Sequence, residues 1–433
     1  MLEDLKQKIN SRKIKIAVIG LGYVGLPLAV NFAKKGFKVY GIDKDADRVA
    51  KVKEKKSYIS DVLNSDLVSV VVKRNLDATT DFSILKVIDV IIICVPTPLK
   101  RRYTPDISFI LNSVRAISKY LKKHSLVVLE STTYPGTTEE LILPILEANG
   151  LRLNEDFYLS FSPERIDPGN KKHVVTSIPK IVGGLTPEST ELTALLYRQI
   201  IKKVFPVSSA KTAEMTKLLE NSFRIINIGW INEVAMMCHK MDIDIWEVIE
   251  AAKTKPFGFM PFYPGLGVGG HCIPDDPLYL FWKAKHHGFS SKFIKLAADV
   301  NSGMPKYAVS YLEDHLKKNG ISLKNANILV VGVTYKKDVK DLRKSPPLKF
   351  IEILKLYKCK VSYHDPIISY LNIDGIKLKS VELTKKIVDV FDCVVIAADH
   401  TDVNYHLILQ SARMIFDIRN VYAHVKDPKI IKL

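Results

Sequence analysis

The chain has 433 residues, 47% apolar and 25% charged, which is ordinary for folded protein and too long for one domain. Lys and Arg number 64 against 46 Asp and Glu, a formal net charge of +18 that leaves nucleic acid, a membrane surface or polyanionic small molecules as partners. No run approaches 18 apolar residues, the opening MLEDLKQKINSRKIK has no apolar signal segment, and five scattered cysteines lack metal-ligand or CxxC spacing. These features argue against a spanning helix, secretion and a metal site, and favour a reduced, cytoplasmic compartment.

From Ile14 onward, short β-branched runs alternate with amphipathic stretches. KIAVIG, KVYGID, VIIICV, SLVVLES and FYLSFS, then KIVGG and VFPVS, read as buried strands of a parallel sheet wrapped by helices, ending near Ser208. From Lys211 to about Met241 only Gly229 interrupts a helical pattern that is apolar on most sides, so burial on most sides is expected. A loop, KPFGFMPFYPGLGVGGHCIPDDP, breaks the helical material that follows. A linker with Gly303, Pro305 and Asn319-Gly320 then leads to a second alternating block with strands NILVVGV, KVSYHDP, DCVVIAA and MIFDI. The expected organisation is α/β: two Rossmann-like doubly wound domains, 1–208 and 306–433, joined by a helical centre, 209–305.

Gly20-x-Gly22-x-x-Gly25 follows the first strand and opens a helix, the context that gives a glycine fingerprint meaning. Gly20 permits the tight turn, Gly22 lets backbone reach a pyrophosphate, and Gly25 lets helix pack on strand. Asp43 closes the second strand 23 residues after Gly20, where a carboxylate accepts from a ribose diol and repels a 2′-phosphate. NAD is therefore expected over NADP, although Arg48 is close by; Tyr23 and Val24 complete the cofactor turn. At the equivalent turn of the second block, Val331-Gly332-Val333-Thr334-Tyr335 keeps one glycine, which fits a mononucleotide site or a plain sheet turn equally well.

Cys272 follows Gly265, Gly267, Gly269 and Gly270 and precedes two prolines, a segment expected to be irregular and able to approach a ligand closely. A nucleophilic role is expected for Cys272, and simple packing for Cys94, Cys238, Cys359 and Cys393. A dyad with the adjacent His271 is not expected, because neighbours in an extended loop point apart; Asp276 is the better local acid or base. On the long helix Lys217, Asn221 and Arg224 share one face, either as a solvated strip or as the lining of a cleft in which a desolvated lysine could move protons.

GLGYVGLPLA, VPTP, ESTTYPGTTE, SPER, KLLENSFRIINI, PGLGVGGHCIPDDP and GVTYKKDVKDLRKSP, in this order, resemble the motifs of the UDP-glucose/GDP-mannose (nucleotide-sugar) 6-dehydrogenase family over nearly the whole chain. SPERIDPGN and TKPFGF…FYPG are most similar to the UDP-N-acetylglucosamine 6-dehydrogenases. The UDP-N-acetylmannosamine branch is nearly as similar, but carries an Arg-containing segment where this chain has KPFGFM.

The resemblance implies an NAD-binding first domain, a helical centre that forms a homodimer, a last domain holding UDP, and a four-electron oxidation of a sugar C6 alcohol to a carboxylate. It implies Cys272 as nucleophile, Lys217 with Asn221 beside it, and Asp276, Thr132 and Glu164 handling protons and water. It further implies NAD contacts at Thr97, Thr132 and Asp43, and substrate contacts at Arg165, Ile166, Lys217, Asn221, Arg224, Gly269, Lys336 and Arg343. The nearest alternative enzyme is a β-hydroxyacid dehydrogenase, which catalyses one two-electron step without a cysteine. A nucleic-acid binder is disfavoured because Lys and Arg are dispersed and no such module is evident.

Overall fold

A computed structural model describes every residue except 1, 60, 101–103, 167–175, 271 and 374. It divides into two compact units: Met1–Glu220 with Leu278–Phe289, and Asn221–Pro277 with Ser290–Leu433. His271 and part of the SPERIDPGN motif lie outside the described residues.

The first unit is built on eight strands: β1 (Lys15–Ile19), β2 (Lys38–Ile42), β3 (Leu76–Thr79), β4 (Val90–Ile93), β5 (Ser125–Leu129), β6 (Phe157–Phe161), β7 (Lys180–Gly184) and β8 (Val204–Pro206). Their order, β3-β2-β1-β4-β5-β6-β7-β8, reverses direction between β1 and β4, the switch point where open α/β sheets bind ligands. Pairing is parallel throughout except between β6 and β7. VIII of β4 and SLVVL of β5 are buried at every position because helices cover both faces of the sheet. Each strand predicted here is present; β3, the four residues LDAT, escaped because so short a run is barely apolar.

The second unit contains a parallel sheet of β9 (Asn327–Val331), β10 (Lys360–His364), β13 (Cys393–Ile396), β14 (Ile415–Asp417) and β15 (Ile430–Lys432). A hairpin of β11 (Tyr370–Ile373) and β12 (Ile376–Lys379) forms a second, two-stranded sheet whose Leu371 and Ile376 share the same core. The order β10-β9-β13-β14-β15 is doubly wound with its own switch point between β9 and β13. Gly332, just after β9, has φ +81°, and a Cβ there would lie 2.4 Å from the Ala398 carbonyl oxygen, so the surviving glycine is required by the sheet turn itself.

The helical elements differ from expectation in three places. The helix Lys292–Lys318 runs straight through Gly303 and Pro305, where a linker was expected. Pro305 cannot donate to the Asn301 carbonyl four residues back, and Gly267 packs against that oxygen so closely that a Cβ would lie 2.3 Å from it. Second, the helix Cys272–His286 begins at the cysteine, although CIPDDP was expected to be irregular. Pro274 falls in its first turn, where no N–H is needed, and Pro277 costs one bond. Third, the helix Ala210–Lys240 is not buried on most sides: Met215, Leu219, Phe223, Trp230 and Met237 form an exposed apolar stripe. Gly229 of this helix faces Ala297, whose Cα would lie 3.0 Å from an added Cβ. Among the described residues no helix is long and apolar enough to cross a membrane.

Candidate active site

The glycine turn after β1 is shaped by three different constraints. Gly20 has φ +93° and would place a Cβ 2.6 Å from the Cys94 carbonyl oxygen, while a Cβ on Gly25 would fall 1.8 Å from the Gly20 oxygen. Gly22 meets nothing within 4 Å. Two glycines are therefore demanded by the fold and the third leaves open space at the start of the helix Gly25–Lys34, whose N-terminal residue Val24 makes no side-chain cap. An uncapped helix start beside a bare backbone suits a pyrophosphate.

Asp43 is buried at the end of β2; its Oδ2 accepts from Leu21 N at 2.8 Å and Arg48 Nη1 at 3.3 Å, and its Oδ1 from Asp45 N at 2.9 Å. The carboxylate braces the turn and keeps a lone pair on Oδ1 for a ribose hydroxyl. Tyr23 is half-exposed in the glycine turn, and Tyr58, whose hydroxyl donates to the Leu21 carbonyl, is pushed up to about 12 chiefly by burial. Thr97 is buried after β4, and its carbonyl accepts from the Tyr279 hydroxyl. These residues fit NAD.

A second cluster joins β5, β6 and β7. Lys180 Nζ pairs with Glu130 Oε1 and, at 3.1 Å, with Glu164 Oε2; Tyr197 donates to Glu130 Oε2 at 2.6 Å. Glu164 Oε1 also accepts from Arg165 N at 2.6 Å and Ile166 N at 2.7 Å. Burial pushes Glu130 up to about 7 in spite of the lysine, and pushes Cys94 up beside it. Against the same cost of burial, Lys180 and the two backbone donors hold Glu164 below its usual range. Arg165 forms a fork with Glu220, Nη2 to Oε1 at 2.5 Å and Nε to Oε2 at 3.2 Å, and donates to the Pro179 carbonyl. Thr132 is half-buried in the segment after β5. Glu130, Lys180 and Tyr197 were not singled out from sequence; the one local signal is a lysine opening the otherwise apolar KIVGG.

In the second unit Cys272 is exposed at the helix start, whereas Cys238, Cys359 and Cys393 are buried and Cys94, in the first unit, is partly so. Asp276 lies one turn further along the helix from Cys272 and is buried; its Oδ2 accepts from Asn221 Nδ2 at 2.6 Å. Asp275 pairs with Lys344. A Cβ on Gly269 would lie 2.6 Å from Tyr335 Cβ and 2.8 Å from the Lys344 carbonyl oxygen, and Gly270 N donates to the Arg343 carbonyl at 2.9 Å. The glycine loop before the cysteine thus lies directly against the loop holding Lys336 and Arg343. The Arg343 guanidinium is exposed and forks onto Asp341, with contacts of 2.5 to 3.0 Å. Along the long helix Lys217 and Asn221 are buried one turn apart, but Arg224, expected on their face, is exposed.

Comparison with known proteins gives a consistent picture. Residues 14–201, 211–303 and 329–424 match, in turn, the NAD binding, central and UDP binding domains of the UDP-glucose/GDP-mannose dehydrogenase family. The chain is 42% identical over 360 residues to the UDP-N-acetyl-D-glucosamine 6-dehydrogenase of Pseudomonas aeruginosa, covering 83% of this chain and 84% of that protein. It is 36% identical over 423 residues to the UDP-N-acetyl-D-mannosamine dehydrogenase of Pyrococcus horikoshii, covering 96% and 97%. A solved structure of UDP-D-ManNAc dehydrogenase from Pyrococcus horikoshii superposes with a TM-score of 0.86, covering 97% of this chain and 99% of that one at 36% identity.

Proposed function

The chain belongs to the UDP-glucose/GDP-mannose dehydrogenase family, and from that premise we propose that it oxidises the C6 alcohol of a UDP-sugar, UDP-N-acetylglucosamine foremost, to the uronate used in surface polysaccharide precursors. It is an NAD-dependent oxidoreductase. The observation that carries the four-electron reading is Cys272, exposed at a helix start behind a glycine loop with the Asn221–Asp276 pair buried one turn away.

Gly20, Gly22, Tyr23, Val24, Gly25, Asp43, Arg48, Thr97 and Thr132 would hold the cofactor. Bound NAD supplies the hydride acceptor for each of the two oxidation steps. Lys217, through an ordered water, takes the C6 hydroxyl proton, and with Asn221 stabilises oxyanion charge on the aldehyde. An aldehyde carbon must become tetrahedral before it can lose hydride again. Cys272 attacks it, the S–C bond forms and the carbonyl π pair moves to oxygen, giving a thiohemiacetal. Its oxidation leaves a thioester. A water oriented by Asp276, Thr132 and Glu164 adds to that carbonyl, the C–S bond breaks, the thiolate leaves and the carboxylate departs with a proton released. Glu164, held ionised by Lys180, serves here as an acceptor that aims the water.

Arg165, Ile166, Lys217, Asn221, Arg224, Gly269, Lys336 and Arg343 would contact the UDP-sugar, whose two phosphates give part of the +18 charge a use. The exposed apolar stripe Met215, Leu219, Phe223, Trp230 and Met237 supports a homodimer formed through the long helix. The division into 1–208, 209–305 and 306–433 and a cytoplasmic location complete the proposal. UDP-N-acetylmannosamine is the second reading, favoured by the greater span of chain, 96%, that aligns with the Pyrococcus horikoshii relative.

The test is to incubate the pure protein with NAD and, separately, UDP-glucose, UDP-N-acetylglucosamine, UDP-N-acetylmannosamine and GDP-mannose, following NADH. Two NADH per UDP-N-acetylglucosamine are expected. One NADH per sugar would sink the four-electron reading, and turnover of UDP-glucose alone would sink the choice of substrate.

A further inference from the structure

Glu214 is fully buried on the helix Ala210–Lys240, one turn before Lys217, yet its bonds come from neutral donors. Its Oε2 accepts from Gly136 N at 2.6 Å, and its Oε1 accepts from Thr138 N at 3.0 Å and Thr138 Oγ1 at 2.6 Å. Those donors end the segment that begins Glu130-Ser131-Thr132. Its start is pinned independently: Glu130 by Lys180 and Tyr197, and Ser131 by a hydroxyl bond to the Val95 carbonyl at 2.7 Å. Between the anchors the Thr133 and Thr137 hydroxyls meet at 2.7 Å, and Thr137 donates to the Tyr134 carbonyl.

We propose that Glu214 is a positioning residue for the oxidation, clamping the Thr132 segment to the helix that carries Lys217. The inference rests on the reading of Thr132 and Lys217 as site residues. Its chemistry is specific to a carboxylate. Two backbone N–H groups, one on each oxygen, need two acceptors; a glutamine offers one and turns its own N–H₂ toward the other donor. An apolar side chain would leave both donors buried and unpaired. Because the clamp reaches Thr132 through a short, tightly bonded turn, losing it shifts the threonine while leaving every group that contacts the sugar in the chain.

The test is a double-mutant cycle on kcat with Glu214→Gln, Thr132→Ala and the pair. Glu214→Gln is expected to lower kcat by roughly ten- to a hundredfold, with KM for UDP-sugar within about twofold, as for a small misplacement of a reacting group. The double variant is expected to be no slower than the slower single one, since both act through one group. Wild-type kcat in Glu214→Gln, or losses that multiply in the pair, overturns the inference and leaves the reading of Thr132 standing. An impaired Glu214→Gln beside a silent Thr132→Ala overturns both. Should Glu214→Gln fail to fold, Thr138→Val, which removes one of the three donors, carries the same cycle with the same outcomes.

Discussion

Asn221 donates to Asp276 across 2.6 Å, with both side chains buried and 55 residues apart in sequence. The bond fixes which oxygen of Asp276 faces the amide. Asn221→Asp would set two carboxylates at that distance, where only one can be ionised. Near neutral pH the variant is expected to lose activity by roughly a hundredfold, since a buried like-charge pair both displaces Asp276 and takes up a proton. At lower pH the shared proton restores a donor between the oxygens, so the optimum of kcat moves to acid. A kcat profile from pH 5.5 to 9 that keeps the wild-type shape would remove the pair from the mechanism.

The cofactor turn makes a separate prediction. Asp43 accepts from Leu21 N and is flanked by Arg48, so it braces the turn, and in the proposed reading it also selects the ribose. Asp43→Asn keeps one acceptor for Leu21 N but removes the charge that repels a 2′-phosphate, and leaves Arg48, still paired with Asp45, beside the ribose position. KM for NAD is expected to rise by about tenfold, and NADP to become a measurable substrate. Unchanged discrimination between the two cofactors in steady-state assays would show that selection lies elsewhere.

Much of this site can be read locally. Gly25 and Asp43 act on neighbours within one βαβ turn, so their spacing alone reports their role, whereas Gly20 is held by its positive φ and also by the Cys94 carbonyl across the sheet. The buried carboxylates cannot be read that way: Glu130 meets Lys180 fifty residues on, and Glu214 meets Gly136 and Thr138 across more than seventy. In sequence each is one charged residue among many. Prolines misled in the opposite direction. At Pro274 and Pro305 a local rule marks a break, but a first turn needs no N–H, and a packed helix tolerates one missing bond when a glycine fills the space beside the freed carbonyl. The apolar stripe on the long helix was legible as apolar; only the fold shows that this chain alone leaves it uncovered.

Glu214 also makes stability depend on pH. Burial pushes its carboxyl up to about 7 from 4.5; its neutral donors and the nearby Glu140, itself paired with Lys283, modify that only partly. A raised carboxyl binds its proton more tightly in the folded chain, so the contribution is complete below 4.5 and is lost as pH rises through 7. The shift corresponds to roughly 3 kcal/mol. Glu130 titrates in the same window and the same direction, so the wild-type loss contains both. Glu214→Gln cannot titrate, and denaturant melts at pH 5 and 7.5 should differ by roughly 2 kcal/mol less than in the wild type. An equal pH difference in both proteins would mean that Glu214 does not change protonation on folding.

Cys272, exposed at a helix start, supplies the last prediction, because the proposed mechanism uses its sulfur in only one of the two oxidations. The first oxidation needs a proton acceptor on the alcohol and no sulfur. The second needs a tetrahedral carbon, and a helix N-terminus favours an anionic sulfur able to make one. A serine hydroxyl in the same place is a far weaker nucleophile at neutral pH, and an ester formed on it would hydrolyse more slowly than a thioester. Cys272→Ser is therefore expected to retain binding of both ligands and to lose steady-state NADH production by on the order of a thousandfold. In a single-turnover experiment it should release at most one NADH, with the aldehyde captured by an added hydroxylamine. Two NADH per sugar from this variant at near wild-type rate would mean that the aldehyde hydrate, and not a thiohemiacetal, is the species oxidised.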